Sequence, residues 1–288
     1  MEIERVGVVG AGLMGSGIAE VCAKAGLSVT VLEVNAEACE RGQARIVGSI
    51  DRGLRNGKIT EGERDAAIAR VSFTTDYAEL ADRQLVVEAV IEDEALKTDV
   101  FRRLDKVVTD PNAILATNTS SIPIMKLGIA TQRPEQVIGI HFFNPVPVLK
   151  LVELVTSLLT SPETTERANA FASEVLHKRV IRSKDRAGFI VNALLIPYLL
   201  SAIRMMESGF ASAEDIDAGM IEGCGHPMGP LHLTDLIGLD TTMAVADSLY
   251  AEFKEPLYAS PPLLSRMVEA GLLGRKTGRG FYDYQAGR

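Results

Sequence analysis

The chain has 288 residues, 47% apolar and 24% charged, with 30 Lys+Arg against 38 Asp+Glu for a formal net charge of -8. That composition belongs to a folded globular chain and excludes a disordered or collagen-like one. The acidic balance argues against nucleic acid or an anionic membrane as partner, so an anionic ligand must be held by local features.

Three cysteines, Cys22, Cys39 and Cys224, show no Cys-x-x-Cys or His/Cys spacing. That points away from a disulfide framework or a metal site and toward a reducing, cytoplasmic compartment. Glu2 and Glu4 precede the first apolar run, the reverse of a secretory leader's basic start. The longest apolar stretch, 187–203, is interrupted by Asn192, Pro197 and Ser201. It falls short of the ~20 residues a membrane span needs and predicts a buried helix.

In chain order, 5–9 is a β-branched run followed at once by Gly10-Ala11-Gly12-Leu13-Met14-Gly15. A helical pattern over 16–25 closes on Gly26, and a second strand over 28–32 ends in Glu33. Residues 35–70 are charged and helix-compatible, broken at Asn56-Gly57. A span longer than a simple crossover predicts two helices projecting as a hairpin before a strand at 71–74. Strands recur at 84–90, 113–117, 137–143, 148–156 and 180–182, with helices over 96–108 and 164–176. This alternation predicts an α/β fold with a mostly parallel Rossmann-type sheet covered on both faces. After Ser183-Lys184-Asp185-Arg186 helical patterns take over. The reading is two domains: an α/β domain over 1–184 and a smaller all-helical domain over 185–288.

A glycine pattern alone is a weak signal. Here it follows a strand, opens a helix and precedes an acid at the end of a second strand, the context that makes it a dinucleotide fingerprint. Gly10 permits the tight turn, Gly12 lets the backbone approach a pyrophosphate, and Gly15 lets the helix pack on the sheet. The helix N-terminus offers free N–H groups to the diphosphate. Glu33 is expected to accept from the adenosine ribose hydroxyls and to repel a 2′-phosphate, which predicts NAD rather than NADP.

Ligands of open α/β sheets sit beyond the carboxyl ends of the strands. Glu92, Asn118-Thr119-Ser120-Ser121, His141 and Asn144 fall at those ends. The link Asn144-Pro145-Val146-Pro147 is too short for a crossover helix, so its flanking strands should pair antiparallel. His141 and Glu153 each lie six residues from Pro147, which sets them opposite one another. A carboxylate there would fix the imidazole tautomer and stabilise imidazolium; the bland alternative is a core histidine with an incidental salt bridge. His177, His226 and His232 read as structural or loop residues.

With these residues on the page, the chain resembles the L-3-hydroxyacyl-CoA dehydrogenase family. The resemblance is carried by the glycine turn, by Asn118-Thr119-Ser120-Ser121, by His141-Phe142-Phe143-Asn144-Pro145 and by Gly188-Phe189-Ile190-Val191-Asn192. Gly225-His226-Pro227-Met228-Gly229-Pro230 and Gly278-Arg279-Gly280-Phe281-Tyr282 complete it. It runs nearly end to end and is most similar to stand-alone bacterial members. It implies NAD(H)-dependent interconversion of (S)-3-hydroxyacyl-CoA and 3-oxoacyl-CoA, with 3-hydroxybutyryl-CoA and acetoacetyl-CoA as the expected pair. By the same resemblance His141 is general base and acid, Glu153 its partner, and Ser120 and Asn192 hold the substrate's C3 oxygen and nearby polar atoms. Glu92, Lys97, Asn118 and Asn144 match positions around the nicotinamide half, and Lys276 a basic residue of the C-terminal segment. Two departures stand out: Glu33 where Asp is more usual, and Asp93 where Asn is frequent.

On residues alone, Asn192 is either a satisfied core amide or a group facing a cleft. At about 100° per residue, Arg41, Arg45, Arg52 and Arg55 fall within about 80° of one helix face. Such a face is either solvated or, for Arg52 and Arg55, a holder of the CoA phosphates. Two other readings remain open: an NAD-dependent sugar-acid (gulonate-type) dehydrogenase and a cofactor-binding protein without turnover. With the resemblance, 1–184 is the expected NAD-binding Rossmann domain and 185–288 the expected substrate and dimerisation domain, whose apolar positions predict a homodimer.

Overall fold

Short β-branched runs, each closed by turn residues, become the strands of one sheet in a computed structural model that describes residues 3–285. The strands are β1 (Arg5–Val9), β2 (Ser28–Leu32), β3 (Val71–Thr74), β4 (Leu85–Glu88), β5 (Ile114–Thr117), β6 (Val137–Phe142), β7 (Leu151–Thr156) and β8 (Arg179–Lys184). Their order is β3-β2-β1-β4-β5-β6-β7-β8, and only the β6–β7 pair is antiparallel. From β1 the chain winds outward through β2 to β3, then returns to place β4 on the other side of β1. The direction of winding therefore reverses between β1 and β4, and the carboxyl ends of those strands flank the crevice where such sheets bind ligands.

α1 (Leu13–Lys24) follows β1 and begins three residues before the 16–25 reading, because the glycine turn itself supplies its first turn. The 35–70 excursion is a helical pair, α2 (Ala36–Arg55) and α3 (Glu61–Ala69). Asn35 caps α2 by accepting from the Ala38 N–H, and Thr60 with Glu63 forms a capping box on α3. Their charged faces are solvated, while Ile46, Ile50 and Ala67 join the core of α1 and the sheet. α4 (Glu94–Val107) and α5 (Ile124–Gly128) follow β4 and β5, and α6 (Pro162–Ala170) runs into a π-helical turn at Phe171–Val175.

Several strand ends shift by one to three residues from the sequence reading, and two of the shifts have a visible cause. β4 stops at Glu88, whose carboxylate accepts from the Val90 N–H at 2.7 Å and turns the chain out of the ladder. β7 starts at Leu151, because the N–H groups of Val148 and Leu149 bond to the Pro145 carbonyl in a longer turn. The lengthened turn leaves the pairing centred on Pro147, and His141 stands opposite Glu153.

Contacts divide the chain into Met1–Arg186 and Ala187–Arg288, against the boundary at 184 read from pattern. The second unit holds α7 (Val191–Glu207), α8 (Ala213–Cys224), α9 (Pro230–Ile237), α10 (Leu239–Phe253) and α11 (Pro262–Glu269). Its own core contains Leu200, Ile203, Leu231, Leu239, Leu249 and Leu264. Two buried aspartates tie its C-terminal segment down. Asp217 accepts from the Leu231 and His232 N–H groups, the His232 ring and the Tyr282 hydroxyl; Asp235 accepts from the Phe281 and Tyr282 N–H groups and the Tyr284 hydroxyl. No helix among the described residues is long and apolar enough to cross a membrane.

Candidate active site

The glycine turn has the shape a dinucleotide needs. Gly10 adopts φ +95°, and a Cβ there would lie 2.8 Å from the Ala89 carbonyl oxygen. A Cβ on Gly15 would fall 1.8 Å from the Gly10 carbonyl oxygen, so any side chain would break the packing of α1 on the turn. At Gly12, by contrast, a Cβ would meet nothing within 4 Å, so the space above that backbone is open. α1 has neither a side-chain N-cap nor an acid in its first turn, which leaves its leading N–H groups for an anion. Ala11 is buried and Met14 half-buried against the core, whereas Leu13 is exposed at the mouth of the turn. These features fit a bound dinucleotide.

Glu33 follows β2, and its Oε1 accepts from the Ala11 N–H at 2.5 Å while Oε2 accepts from the Val34 N–H at 3.1 Å. The carboxylate thus ties the tip of β2 to the glycine turn. Arg45 reaches the same turn from α2 and donates to the Ala11 carbonyl at 2.8 Å, and Arg41 pairs with Glu37. Of the four arginines on that face, Arg52 and Arg55 are exposed in the last turn of α2 and have no carboxylate partner among the described residues.

β6 extends past the end of β5, whose last residue, Thr117, is level with Gly139. His141 therefore projects beyond β5, beside the loop 118–121. Its Nδ1 lies 2.8 Å from Glu153 Oε2, and its Nε2 lies 3.1 Å from Ser120 Oγ. Glu153 is fully buried and His141 nearly so. A Ser120 hydroxyl donating to Nε2 requires the tautomer whose Nδ1–H donates to Glu153, so the three side chains impose one protonation pattern on each other. Asn118 Oδ1 accepts from the Phe142 N–H at 2.9 Å, continuing the β5–β6 ladder and leaving the amide NH2 for another partner. Asn144 is exposed in the turn after β6.

Glu92 and Lys97 sit differently from residues that simply face a ligand. Glu92 Oε1 gathers the Thr119 hydroxyl, the Ser120 N–H at 3.1 Å, the Ser121 N–H at 3.2 Å and the Ser121 hydroxyl at 2.8 Å. Burial pushes the Glu92 carboxyl up, but the Lys97 charge with hydrogen bonds from Thr119, Ser121 and Lys97 outweighs it, and the group titrates below its ordinary value. Lys97 is 1% exposed and bonds Glu88 Oε1 at 2.7 Å, with Glu92 Oε2 3.3 Å away. Glu88 was not among the residues singled out from sequence. Its signal was present, since a carboxylate inside an apolar strand needs a buried partner.

The remaining candidates lie in the second unit. Asn192 is half-buried in the first turn of α7, with no side-chain hydrogen bond to another described residue. Lys276 is half-exposed, with Asp240 Oδ1 and Oδ2 each 2.6 Å from its Nζ. His226 meets the Tyr198 hydroxyl and His232 meets Asp217, as expected of structural histidines.

A glycine-turn Rossmann domain with a carboxylate-backed histidine at its strand ends defines an NAD-binding oxidoreductase. The model of the 3-hydroxyacyl-CoA dehydrogenase NAD-binding domain matches residues 5–186, and that of the family's C-terminal domain matches 188–284. The chain belongs to the 3-hydroxyacyl-CoA dehydrogenase family. It is 61% identical over 282 residues to a 3-hydroxybutyryl-CoA dehydrogenase of Mycobacterium tuberculosis, covering 98% of this chain and 99% of that one. Among solved structures it matches M. tuberculosis FadB2 with a TM-score of 0.98 at 60% identity, covering 99% of this chain and 100% of that chain. The (S)-3-hydroxybutyryl-CoA dehydrogenase PaaH1 of Ralstonia eutropha gives a TM-score of 0.93 at 45% identity, with the same coverage.

Proposed function

We propose that this chain interconverts (S)-3-hydroxybutyryl-CoA and acetoacetyl-CoA with NAD(H). The observation that carries the reading is the alignment of Ser120, His141 and Glu153, with imidazole contacts of 3.1 and 2.8 Å, in a domain built for a dinucleotide.

In the oxidative direction His141 Nε2 takes the proton of the C3 hydroxyl. Glu153 keeps Nδ1 protonated and stabilises the imidazolium that results. In reduction the same nitrogen returns the proton to the C3 oxygen. Ser120 Oγ, beside Nε2, turns its hydroxyl to that oxygen and polarises the carbonyl; Asn192 keeps the substrate-binding role that the family resemblance gives it. When bound, NAD supplies the hydride acceptor at C3, and NADH the donor in reverse. Gly10, Ala11, Gly12, Leu13, Met14 and Gly15 with the α1 N-terminus would hold its diphosphate. Glu33 would face the adenosine ribose, Asn118, Asn144, Glu92 and Lys97 would border the nicotinamide half, and Lys276 keeps the cofactor-binding role that the resemblance gives it. Arg52 and Arg55 are assigned to the CoA phosphates.

The exposed apolar residues Leu194, Met205 and Phe210 of the second unit support a homodimer. Light scattering giving the mass of a single chain would contradict it. The compartment assigned is the cytoplasm, in keeping with three free cysteines.

Purified protein with acetoacetyl-CoA and NADH should lose NADH absorbance. It should do so far more slowly with NADPH, and not at all with an oxo acid lacking CoA or with the His141→Gln variant. Equal turnover of the CoA-free oxo acid would shift the assignment to a sugar-acid dehydrogenase. Cofactor binding without any turnover would leave a binding protein.

A further inference from the structure

Glu88 is fully buried at the end of β4 and takes no part in the chemistry assigned above. Its Oε1 accepts from Lys97 Nζ at 2.7 Å and from the Val90 N–H at 2.7 Å, and its Oε2 accepts from the Thr117 hydroxyl at 2.7 Å. Thr117 Oγ1 in turn accepts from the Thr119 N–H at 3.1 Å. Lys97 extends from Glu88 toward Glu92, 3.3 Å away, and also donates to the Val90 carbonyl at 3.3 Å. Glu92 then receives the Ser120 and Ser121 N–H groups. Two routes thus run from one buried carboxylate to one loop, through Lys97 and Glu92 and through Thr117 and Thr119. The first reaches the Ser120 N–H and the second stops at Thr119, the residue before it; Ser120 Oγ in turn meets His141 Nε2 at 3.1 Å.

Residues 119–121 lie beyond the β5 ladder, and the Glu92 carboxylate satisfies N–H groups of Ser120 and Ser121. A buried ion pair contributes little net stability compared with an apolar pair of equal volume, because desolvation offsets the attraction. Its directional hydrogen bonds, however, hold their neighbours to one geometry. We propose that Glu88 is a positioning residue for the dehydrogenase reaction, acting through Lys97 and Thr117 on the loop that aims the Ser120 hydroxyl at His141. The proposal rests on the function assigned above.

The test is a double-mutant cycle in the full-length protein. Glu88→Gln keeps the shape and removes the charge, and should lower kcat about ten- to a hundredfold, since small misplacements of a reacting group cost that much. KM for acetoacetyl-CoA should change much less. In a Ser120→Ala background the same substitution should cost less than about twofold more, because its effect is transmitted through the missing hydroxyl. If Glu88→Gln does not fold, Thr117→Val breaks the second route alone and should show the same non-additivity at smaller amplitude. Losses that multiply in the Ser120→Ala background, or unchanged kcat in a folded single variant, overturn the proposal. The imidazole 15N signals of His141, assigned by their absence in His141→Gln, give a readout independent of turnover. They should move in Glu88→Gln toward their position in Ser120→Ala. If wild-type protein fails to reduce acetoacetyl-CoA while these signals still move, the assigned reaction is wrong and the positioning network stands. Unmoved signals in an active enzyme sink the network alone.

Discussion

His141 Nδ1 and Glu153 Oε2 lie 2.8 Å apart on facing residues of the antiparallel strands β6 and β7, with the carboxylate closed off from solvent. The pairing makes the tautomer a property of the sheet register rather than of a mobile side chain. Glu153→Gln keeps the volume but removes the charge that stabilises imidazolium. It should lower kcat by about a hundred- to ten-thousandfold, by analogy with carboxylate-to-amide changes in other His-centred sites. KM for acetoacetyl-CoA should stay within a few fold. Steady-state kinetics on a variant shown by circular dichroism to be folded will decide it, and a kcat close to wild type would remove Glu153 from the mechanism.

The glycine turn separates folding from binding at two positions only a few residues apart. A methyl on Gly15 would collide with the Gly10 carbonyl oxygen, whereas one on Gly12 meets no protein atom within 4 Å. Gly15→Ala should therefore lower Tm and abolish NADH binding together. Gly12→Ala should hold Tm within about 2 °C, the small shift of a substitution that disturbs no packing, yet raise the Kd for NADH. Thermal melts and NADH fluorescence measure the two effects. Equal behaviour of the two variants would show that the open space over Gly12 does not receive the cofactor.

Glu92 carries a sign that can be checked against pH. Its carboxyl titrates lower in the folded protein than in the unfolded chain, because Lys97 and the loop hydroxyls outweigh the effect of burial. A group of this kind contributes stability above its unfolded pKa of about 4.3 and loses it as pH falls through the lower folded value. The stability difference between wild type and Glu92→Gln should therefore be flat near neutrality and shrink below about pH 4.3. Urea titrations across that range test it, and a difference that grows on acidification would reverse the assignment.

Arg52 and Arg55 face solvent without a carboxylate partner among the described residues, unlike Arg41 on the same helix. Reversing both charges, Arg52→Glu with Arg55→Glu, should raise KM for acetoacetyl-CoA several fold, and less so at high salt, where exposed charges are screened. KM for NADH should not move. An unchanged KM for the thioester would return this face to the merely solvated class.

The cysteines offer a check on the packing. Burial pushes the Cys22 thiol up to about 12, while Cys224 is exposed. A thiol reagent at neutral pH should label Cys224 rapidly and Cys22 only after unfolding. Fast labelling of Cys22 in folded protein would contradict the core around α1.

Much of this protein is determined locally and is therefore legible in the chain. The strand–glycine–helix unit, the acid at position 33 and the pairing of His141 with Glu153 rest on short-range spacing, and a turn centred on Pro147 sets the register whatever its length. The family resemblance likewise follows from motifs held in order along the sequence. What only the tertiary structure decided are relations between residues on different strands and helices. Nothing in the spacing of Glu88, Glu92, Lys97, Thr117 and Ser120 shows that one buried carboxylate reaches a loop through two routes, because β4 and β5 become neighbours only when the sheet forms. Nor does the arginine stripe on α2 reveal that Arg45 bonds the glycine turn while Arg52 and Arg55 meet no carboxylate among the described residues, since the helix face is local but the partners it meets are not.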